Sequence, residues 1–224
     1  MALWQTTRFR LDLTRPLVMG IVNNTPDSFS DGGHHHSVTA ALRHAEKLLK
    51  DGAHILDIGG ESTRPGSPAV PLEEEMRRVL PFVQAAVQFG VPISVDTYKA
   101  QVMQAVLDAG ADIINDVWAL RQPGAQSVVA SHPQCGVVLM HMHKTPPDMQ
   151  QTPMQGDAVA QVQNFLAQQT QALLALGVER QRIVWDYGIG FGKTVAQNFA
   201  LLAQQAALTR QGFALLAGWS RKSS

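Results

Sequence analysis

The sequence predicts an α/β fold of the (β/α)8 barrel type. Seven short apolar runs, each the length of a buried strand, alternate with stretches in which apolar residues recur at helical spacing. Most of the helical stretches are closed by a glycine. Apolar strands joined by helices indicate a parallel sheet that helices cover. Seven consecutive units favour a barrel over a doubly wound sheet, which remains the alternative.

The elements follow one another without a change in composition, so one domain spanning residues 1–224 is predicted. Residues 3–14 alternate loosely and predict a hairpin ahead of the barrel, which starts at residue 17. Strands are predicted at 17–22, 54–59, 92–96, 112–117, 136–141, 182–186 and 213–218. Helices are predicted at 37–51 with Ser37 as N-cap, and at 72–89, 99–108, 123–132, 157–176 and 195–208.

Composition and charge exclude several classes of function. Hydrophobic residues make up 45% of the chain, and Lys+Arg and Asp+Glu both number 18, so the net charge is zero. Neither nucleic acid nor a membrane surface is therefore an expected partner. The chain has one cysteine, Cys135, and no signal peptide or membrane span is apparent. We expect a cytoplasmic protein and a buried Cys135.

Polar residues stand at the ends of nearly all the predicted strands, where the ligands of parallel barrels bind. Each one alone could simply cap the next helix. Together they predict one pocket, because buried polar groups are costly unless they are satisfied. The residues are Asn23, Asp57 with Glu61, Asp96, Asn115 with Asp116, His141, Asp186 and Lys222.

The residue types at these strand ends suit a flat heterocycle. Carboxylates accept hydrogen bonds from ring and amino N–H groups, and an asparagine both donates and accepts. Arg64 could meet a carboxylate or a phosphate. The loop after the first strand, 23–33, is polar but carries Phe29, which a solvated turn does not need.

Two further motifs have plain interpretations. The glycines at 188, 190 and 192 match neither a dinucleotide fingerprint nor a P-loop, and we interpret them as a tight turn that presents Phe191. Three consecutive histidines, 34–36, cannot all face one ion, so we expect a solvated loop there.

Six motifs together resemble the dihydropteroate synthase family of pterin-binding barrels. The resemblance runs in order from Leu17 to Ser224. The motifs are NNTPDSFSDGG at 23–33, DIGGESTRPG at 57–66, SVDT at 94–97, IND at 114–116, DYGIGFGK at 186–193 and GWSRKS at 218–223.

The resemblance implies a transferase of folate biosynthesis. It would join 6-hydroxymethyl-7,8-dihydropterin diphosphate to 4-aminobenzoate, releasing diphosphate and 7,8-dihydropteroate, with sulfonamides as competitors. The C–O bond to diphosphate loosens, the dihydropterin ring delocalises the developing cation, and the amine attacks. Mg²⁺, implied as the cofactor, neutralises the leaving group. The implied partners are these two substrates, without nucleic acid or membrane, and a homodimer of the full-length enzyme.

Site residues follow from the resemblance, position by position. The pterin is held by residues matching Asp96, Asn115, Asp186 and Lys222, and Asn23 matches the residue that helps hold the metal. Asp96, Lys222 and Asn23 are the expected catalytic residues. The remaining substrate contacts are expected at Phe29 on the first loop, Thr63, Arg64 and Pro65 on the second, and Phe191, Gly218 and Ser220.

Two alternatives accompany this interpretation. A methyltetrahydrofolate-binding barrel without synthase activity would share the Asp and Asn contacts but would have no use for a diphosphate loop. The family also continues with a helix and an eighth strand that bears an Arg and a His. The sequence ends at Ser224 without them, so an inactive fragment is the other alternative, and exposed sheet edges are expected.

Overall fold

The computed structural model describes residues 3–23, 34–62, 67–144 and 153–219, with the backbone alone for 34–37. Its strands are β1 (Leu3–Gln5), β2 (Arg10–Asp12), β3 (Met19–Asn23), β4 (Ile55–Gly59), β5 (Ile93–Asp96), β6 (Ile113–Asp116), β7 (Gly136–Met140), β8 (Ile183–Asp186) and β9 (Ala214–Leu216). Its α-helices are α1 (His34–Lys50), α2 (Leu72–Ala86), α3 (Ala100–Asp108), α4 (Ala125–Ser131), α5 (Ala158–Ala175), α6 (Val195–Ala203) and α7 (Gln205–Thr209).

Strands β3 to β9 form one seven-stranded sheet in which every neighbouring pair is parallel. The order of the strands in the sheet is their order in the sequence. A doubly wound sheet would reverse direction at a switch point, and no reversal occurs among the described strands. The barrel type of α/β fold is therefore confirmed over the doubly wound alternative. Within the described residues, β3 and β9 lie at the two edges.

The outer face of the sheet packs against the helices. Side chains alternate between the two faces of a strand. The outward-facing residues of each strand join the larger buried core. Leu56, Ile58 and Val95 lie in that core with Phe82 and Val83 of α2. This packing fixes which residues of each strand face outward, and therefore which ones face the interior of the curled sheet.

The interior face divides into two halves. We call the half at the N-terminal ends of the strands the apolar floor, which consists of Ile55, Ile113, Val138 and Val184 around Trp4. The hairpin of β1 and β2 covers this floor, and the Trp4 indole N–H donates to the Arg182 carbonyl at 3.0 Å. Beside it, Arg8 forms an ion pair at 2.6 Å with buried Asp112, which holds the hairpin against the sheet.

Three local predictions were wrong. Helix α1 begins at His34, so residues 34–36 form its first turn rather than a loop, and Ser37 lies inside the helix rather than at its N-cap. The stretch 195–208 is two helices, because Gln204, with φ −103° and ψ 11°, leaves the helical region between α6 and α7.

Cys135 is buried as expected. Among the described helices, none is long and apolar enough to cross a membrane.

Candidate active site

The half of the interior face at the C-terminal ends of the strands is polar, and we call it the polar rim. Asn23, Gly59, Asp96 and Asn115 are aligned across β3 to β6, each paired with the next in the sheet register. Directly paired residues of parallel strands point to the same side. Since Ile58, Val95 and Ile114 belong to the outer core, their alternate neighbours in this row face the interior.

Asp186 reaches the polar rim from the other side of the sheet. It is the last residue of β8, two positions beyond Val184 of the apolar floor. Its Oδ1 accepts a hydrogen bond from the Gly188 backbone N–H at 2.7 Å, so the turn after β8 holds the carboxylate in place. Asp96, Asn115 and Asp186, predicted to share one site, are thus the ends of three strands on one concave face.

The acidic groups in and next to the polar rim affect one another electrostatically. Burial raises the pKa of Asp96 well above its usual range, and the carboxylates of Asp57 and Asp116 raise it further. Burial also raises the pKa of Asp57, to which Asp186 contributes. Negative charge concentrated in a shielded concave site favours a ligand that carries N–H donors or develops positive charge.

A glycine separates Asn23 from Asp96. A Cβ added at Gly59 would lie 3.4 Å from Asn23 Oδ1 and 3.9 Å from the Asp96 Cβ. Any larger side chain at this position would fill the space between the two polar groups. Gly59 therefore leaves room for a ligand at the mouth of the curled sheet.

The Asn23 side chain offers an oxygen ligand at the end of β3, where it is exposed. Mg²⁺ prefers oxygen ligands and usually keeps several waters while using one or two protein groups together with substrate phosphates. Among the described residues no cluster of three or more His, Cys, Asp or Glu side chains could hold a metal by itself. The Asn23 oxygen therefore has the chemistry to contribute one ligand to such an ion.

An ionic network lies at the start of the second loop, just after β4. Sequence reasoning missed this network. Lys99 donates to both Glu61 and Glu75, and the Tyr98 hydroxyl donates to Glu61 at 2.9 Å. Burial alone would lower the pKa of Lys99, but the hydrogen bonds to the two glutamates raise it. The network fixes Glu61, two residues before the predicted contacts Thr63, Arg64 and Pro65.

The turn after β8 presents Phe191, as expected from its glycines, which all have positive φ. Phe191 packs against Val117, Met140 and Met142 in a small apolar cluster beside the polar rim. A Cβ at Gly188 would lie 1.9 Å from the His141 carbonyl oxygen, so only glycine fits there. A flat apolar surface next to hydrogen-bonding groups suits an aromatic ligand.

Lys193 holds this turn against the end of β7. Its buried ammonium donates to the carbonyls of His141, Gly188 and Phe191 at 3.2, 2.8 and 3.2 Å. Three carbonyl partners satisfy all three ammonium donors. Sequence reasoning assigned Lys193 no role, because carbonyl partners carry no side-chain signature.

Two residues that we expected in the pocket lie outside it. The His141 ring packs edge-on against Phe165 of α5 at 5.1 Å, on the outer side of the sheet. Burial, together with the charges of Lys193 and His143, lowers the pKa of His141 to about 3, so the ring is neutral. Asp116 accepts hydrogen bonds from the backbone N–H groups of Trp118 and Leu120 at 2.7 and 2.8 Å. Asp116 points to the opposite face from its inward-facing neighbour Asn115, and its carboxylate therefore shapes a turn instead of lining the pocket.

The remaining predicted contacts lie at or beyond the limits of the description. Gly218, one residue before the end of the described chain at 219, is half-buried. Phe29, Thr63, Arg64, Pro65, Ser220 and Lys222 lie outside the described residues. Their roles remain predictions.

Comparison with known proteins agrees with this geometry. The pterin binding enzyme family matches residues 19–224. A dihydropteroate synthase of Neisseria meningitidis serogroup B is 47% identical over 226 residues, which cover 99% of this chain and 79% of the relative. These relatives are synthases, which favours the synthase interpretation over the methyltetrahydrofolate-binding alternative.

Solved structures give the same result. The dihydropteroate synthase of Burkholderia cenocepacia, complexed with 7,8-dihydropteroate, superposes with a TM-score of 0.87 at 47% identity, over 99% of this chain and 78% of that one. The Yersinia pestis enzyme, in a sulfonamide drug complex, gives 0.91 at 44% identity, over 98% and 80%. Sequence motifs, sheet order and the polar rim agree, and the chain belongs to the pterin binding enzyme family, among its dihydropteroate synthases.

Proposed function

We propose that this chain condenses 6-hydroxymethyl-7,8-dihydropterin diphosphate with 4-aminobenzoate, forming 7,8-dihydropteroate and diphosphate. The observation that carries the proposal is the placement of Asp96, Asn115 and Asp186 at the ends of three strands, facing one interior. All three offer hydrogen-bond acceptors to the amino and ring N–H groups of a pterin. The relatives bound to dihydropteroate and to a sulfonamide support the assignment.

The residues of the polar rim have distinct parts in the proposed reaction. The nitrogen of 4-aminobenzoate attacks the methylene carbon of the pterin substrate, the C–O bond to diphosphate breaks, and the amine loses a proton. Positive charge spreads over the pterin ring while that bond breaks. Asp96 and Asp186 stabilise this charge, because an ionised carboxylate in a shielded site attracts a developing cation strongly.

The leaving diphosphate and the second substrate would be met by other groups. Asn23 would hold Mg²⁺, which supplies charge neutralisation of the leaving group when bound. Phe191 would support the aminobenzoate ring, and its packing on Met140 and Met142 keeps it in place. Arg64 and Lys222 are proposed as the anion and pterin contacts that the motifs assign to them.

We further propose a cytoplasmic homodimer. Val195 and Phe199, one turn apart on α6, are 54% and 56% exposed, which is unusual for side chains of this size and supports a contact surface there. Phe199→Lys is expected to shift the sedimentation coefficient toward that of a monomer. An unchanged sedimentation coefficient would show that α6 is not part of the dimer interface.

Diphosphate release in a coupled assay tests the synthase activity directly. Release should depend on both 4-aminobenzoate and Mg²⁺, and a sulfonamide should inhibit it competitively with 4-aminobenzoate. Binding of the pterin diphosphate in calorimetry without any turnover would instead support a pterin-binding protein that lacks synthase activity.

A further inference from the structure

Beneath the polar rim, Asp57 forms a hydrogen bond that has no part in the reaction as proposed above. Asp57 lies in β4, one inward-facing position before Gly59, and is 6% exposed. Its Oδ2 accepts a hydrogen bond from the Asn115 side-chain amide, Nδ2, at 3.1 Å. The two residues come from strands that are not neighbours, since β5 lies between β4 and β6. The bond therefore crosses the interior of the curled sheet.

This hydrogen bond decides which end of the Asn115 amide faces the ligand. An ionised carboxylate can only accept hydrogen bonds, so the NH₂ group of Asn115 must turn toward Asp57. The carbonyl oxygen is then left toward the polar rim, where within the described residues it accepts no hydrogen bond. Without Asp57 the amide could rotate by half a turn and offer donors instead.

We propose that Asp57 is a positioning residue for pterin recognition, which locks Asn115 with its carbonyl oxygen toward the substrate. The inference rests on the proposed function. With Asn115 locked, the polar rim offers acceptors from Asp96, Asn115 and Asp186 and requires N–H donors at all three places. A site built to pair with N–H groups rejects analogues that lack them, because its own buried acceptors would stay unpaired.

Exchanging the two residues tests the orientation. Asn115→Asp alone sets two carboxylates against each other and should raise KM for the pterin diphosphate by about tenfold or more, the factor equivalent to one lost hydrogen bond. The double variant Asp57→Asn with Asn115→Asp restores the bond with donor and acceptor exchanged. It again presents an oxygen to the substrate, so KM should recover to within roughly threefold of wild type.

Asp57→Ala separates positioning from a general structural role. It should raise KM for the pterin diphosphate by about tenfold and leave KM for 4-aminobenzoate nearly unchanged, because the proposed support for that ring is Phe191 and not Asn115. Asp108→Ala is the matched control, since Asp108 accepts an amide hydrogen bond from Gln104 at 2.9 Å on the exposed face of α3. It should change neither KM.

The outcomes distinguish this inference from the proposed function. If wild type neither binds the pterin diphosphate nor turns over, the proposed function fails. If wild type is active but the double variant is as impaired as Asn115→Asp in a protein that melts like wild type, the locked orientation is wrong. Equal rises in both KM values for Asp57→Ala would likewise overturn the inference.

Discussion

Three carboxyl groups, those of Asp57, Asp96 and Asp186, share the interior face near the C-terminal ends of the strands. Burial, together with repulsion by the charges of neighbouring carboxylates, raises the pKa values of Asp96 and Asp57 before any ligand binds. A ligand that brings N–H donors and develops positive charge removes part of that repulsion. The site thereby favours the charged form of the pterin.

Replacing the carboxylate of Asp96 or of Asp186 should therefore weaken pterin binding while leaving the stability of the fold nearly unchanged. Asp96→Asn and Asp186→Asn each leave a ligand N–H facing an amide that can also present donors. The expected cost is about 1–3 kcal/mol of binding free energy, measured as the Kd of the pterin diphosphate by calorimetry.

Asp108→Asn provides the control for these two variants, because Asp108 is exposed on α3. Its Kd and Tm should match wild type. A Kd equal to wild type for both Asp96→Asn and Asp186→Asn would show that the polar rim does not hold the pterin.

Asp116 illustrates how a neighbouring residue takes a different role. Burial raises the pKa of Asp116 to about 7, while its hydrogen bonds from Trp118 and Leu120 oppose the rise. In the unfolded chain its pKa is near the ordinary value of 3.8. The folded state therefore binds this proton more tightly, and the stability contributed by Asp116 falls as pH rises between those two values.

Comparing wild type with Asp116→Asn isolates this titration, since the other carboxylates are common to both proteins. The Tm of wild type minus that of the variant should decrease from about pH 5 to about pH 8. Differential scanning calorimetry at both pH values measures it. A difference that is constant with pH, or that grows, would mean that Asp116 stays ionised in the folded protein.

At the scale of elements, the N-terminal hairpin completes the interior. Trp4 is 3% exposed and fills the apolar floor between Ile55, Ile113 and Val184. The hairpin contributes no residue to the polar rim. Its effect on activity is indirect, because it excludes water from the opposite end of the same interior.

Trp4→Ala should lower the free energy of unfolding by about 3–5 kcal/mol, since it opens a cavity in the floor and removes the bond to the Arg182 carbonyl. Urea denaturation measures the loss. Leu176→Ala removes a large side chain that is 51% exposed and should cost under about 0.5 kcal/mol. Similar losses for the two variants would show that the hairpin does not seal the interior.

At the scale of the whole molecule, the described sheet has an uncovered edge. Val18, just before β3, and Ile21, within it, are 56% and 54% exposed, and β3 pairs only with β4 among the described strands. An apolar strand edge is a template for pairing with another copy.

The 224-residue chain should therefore form species larger than a dimer as its concentration rises. The double variant Val18→Lys with Ile21→Lys should suppress them, because a charge on an edge strand opposes pairing. Sedimentation velocity over a concentration series measures the distribution. If the larger species persist in the variant while its Tm is unchanged, the β3 edge is not the route of association.

The sequence alone was sufficient for the order of elements and for the fold class. Strand and helix periodicities are local properties, so each unit was legible from a short window. The strand-end pattern located Asp96, Asn115 and Asp186, and the resemblance assigned them to the pterin. The start of α1 was missed, since a run of histidines carries no apolar periodicity and no capping signal.

Only the tertiary structure decided which polar residues share the interior. Adjacent residues of a strand point to opposite faces, so Asn115 joins the polar rim while Asp116 shapes an outer turn. His141 lies against Phe165 for a similar reason. The bond from Asn115 to Asp57 joins residues 58 apart in the chain. Such pairings depend on how the sheet curls, and that is set by the packing of all its strands against the helices together.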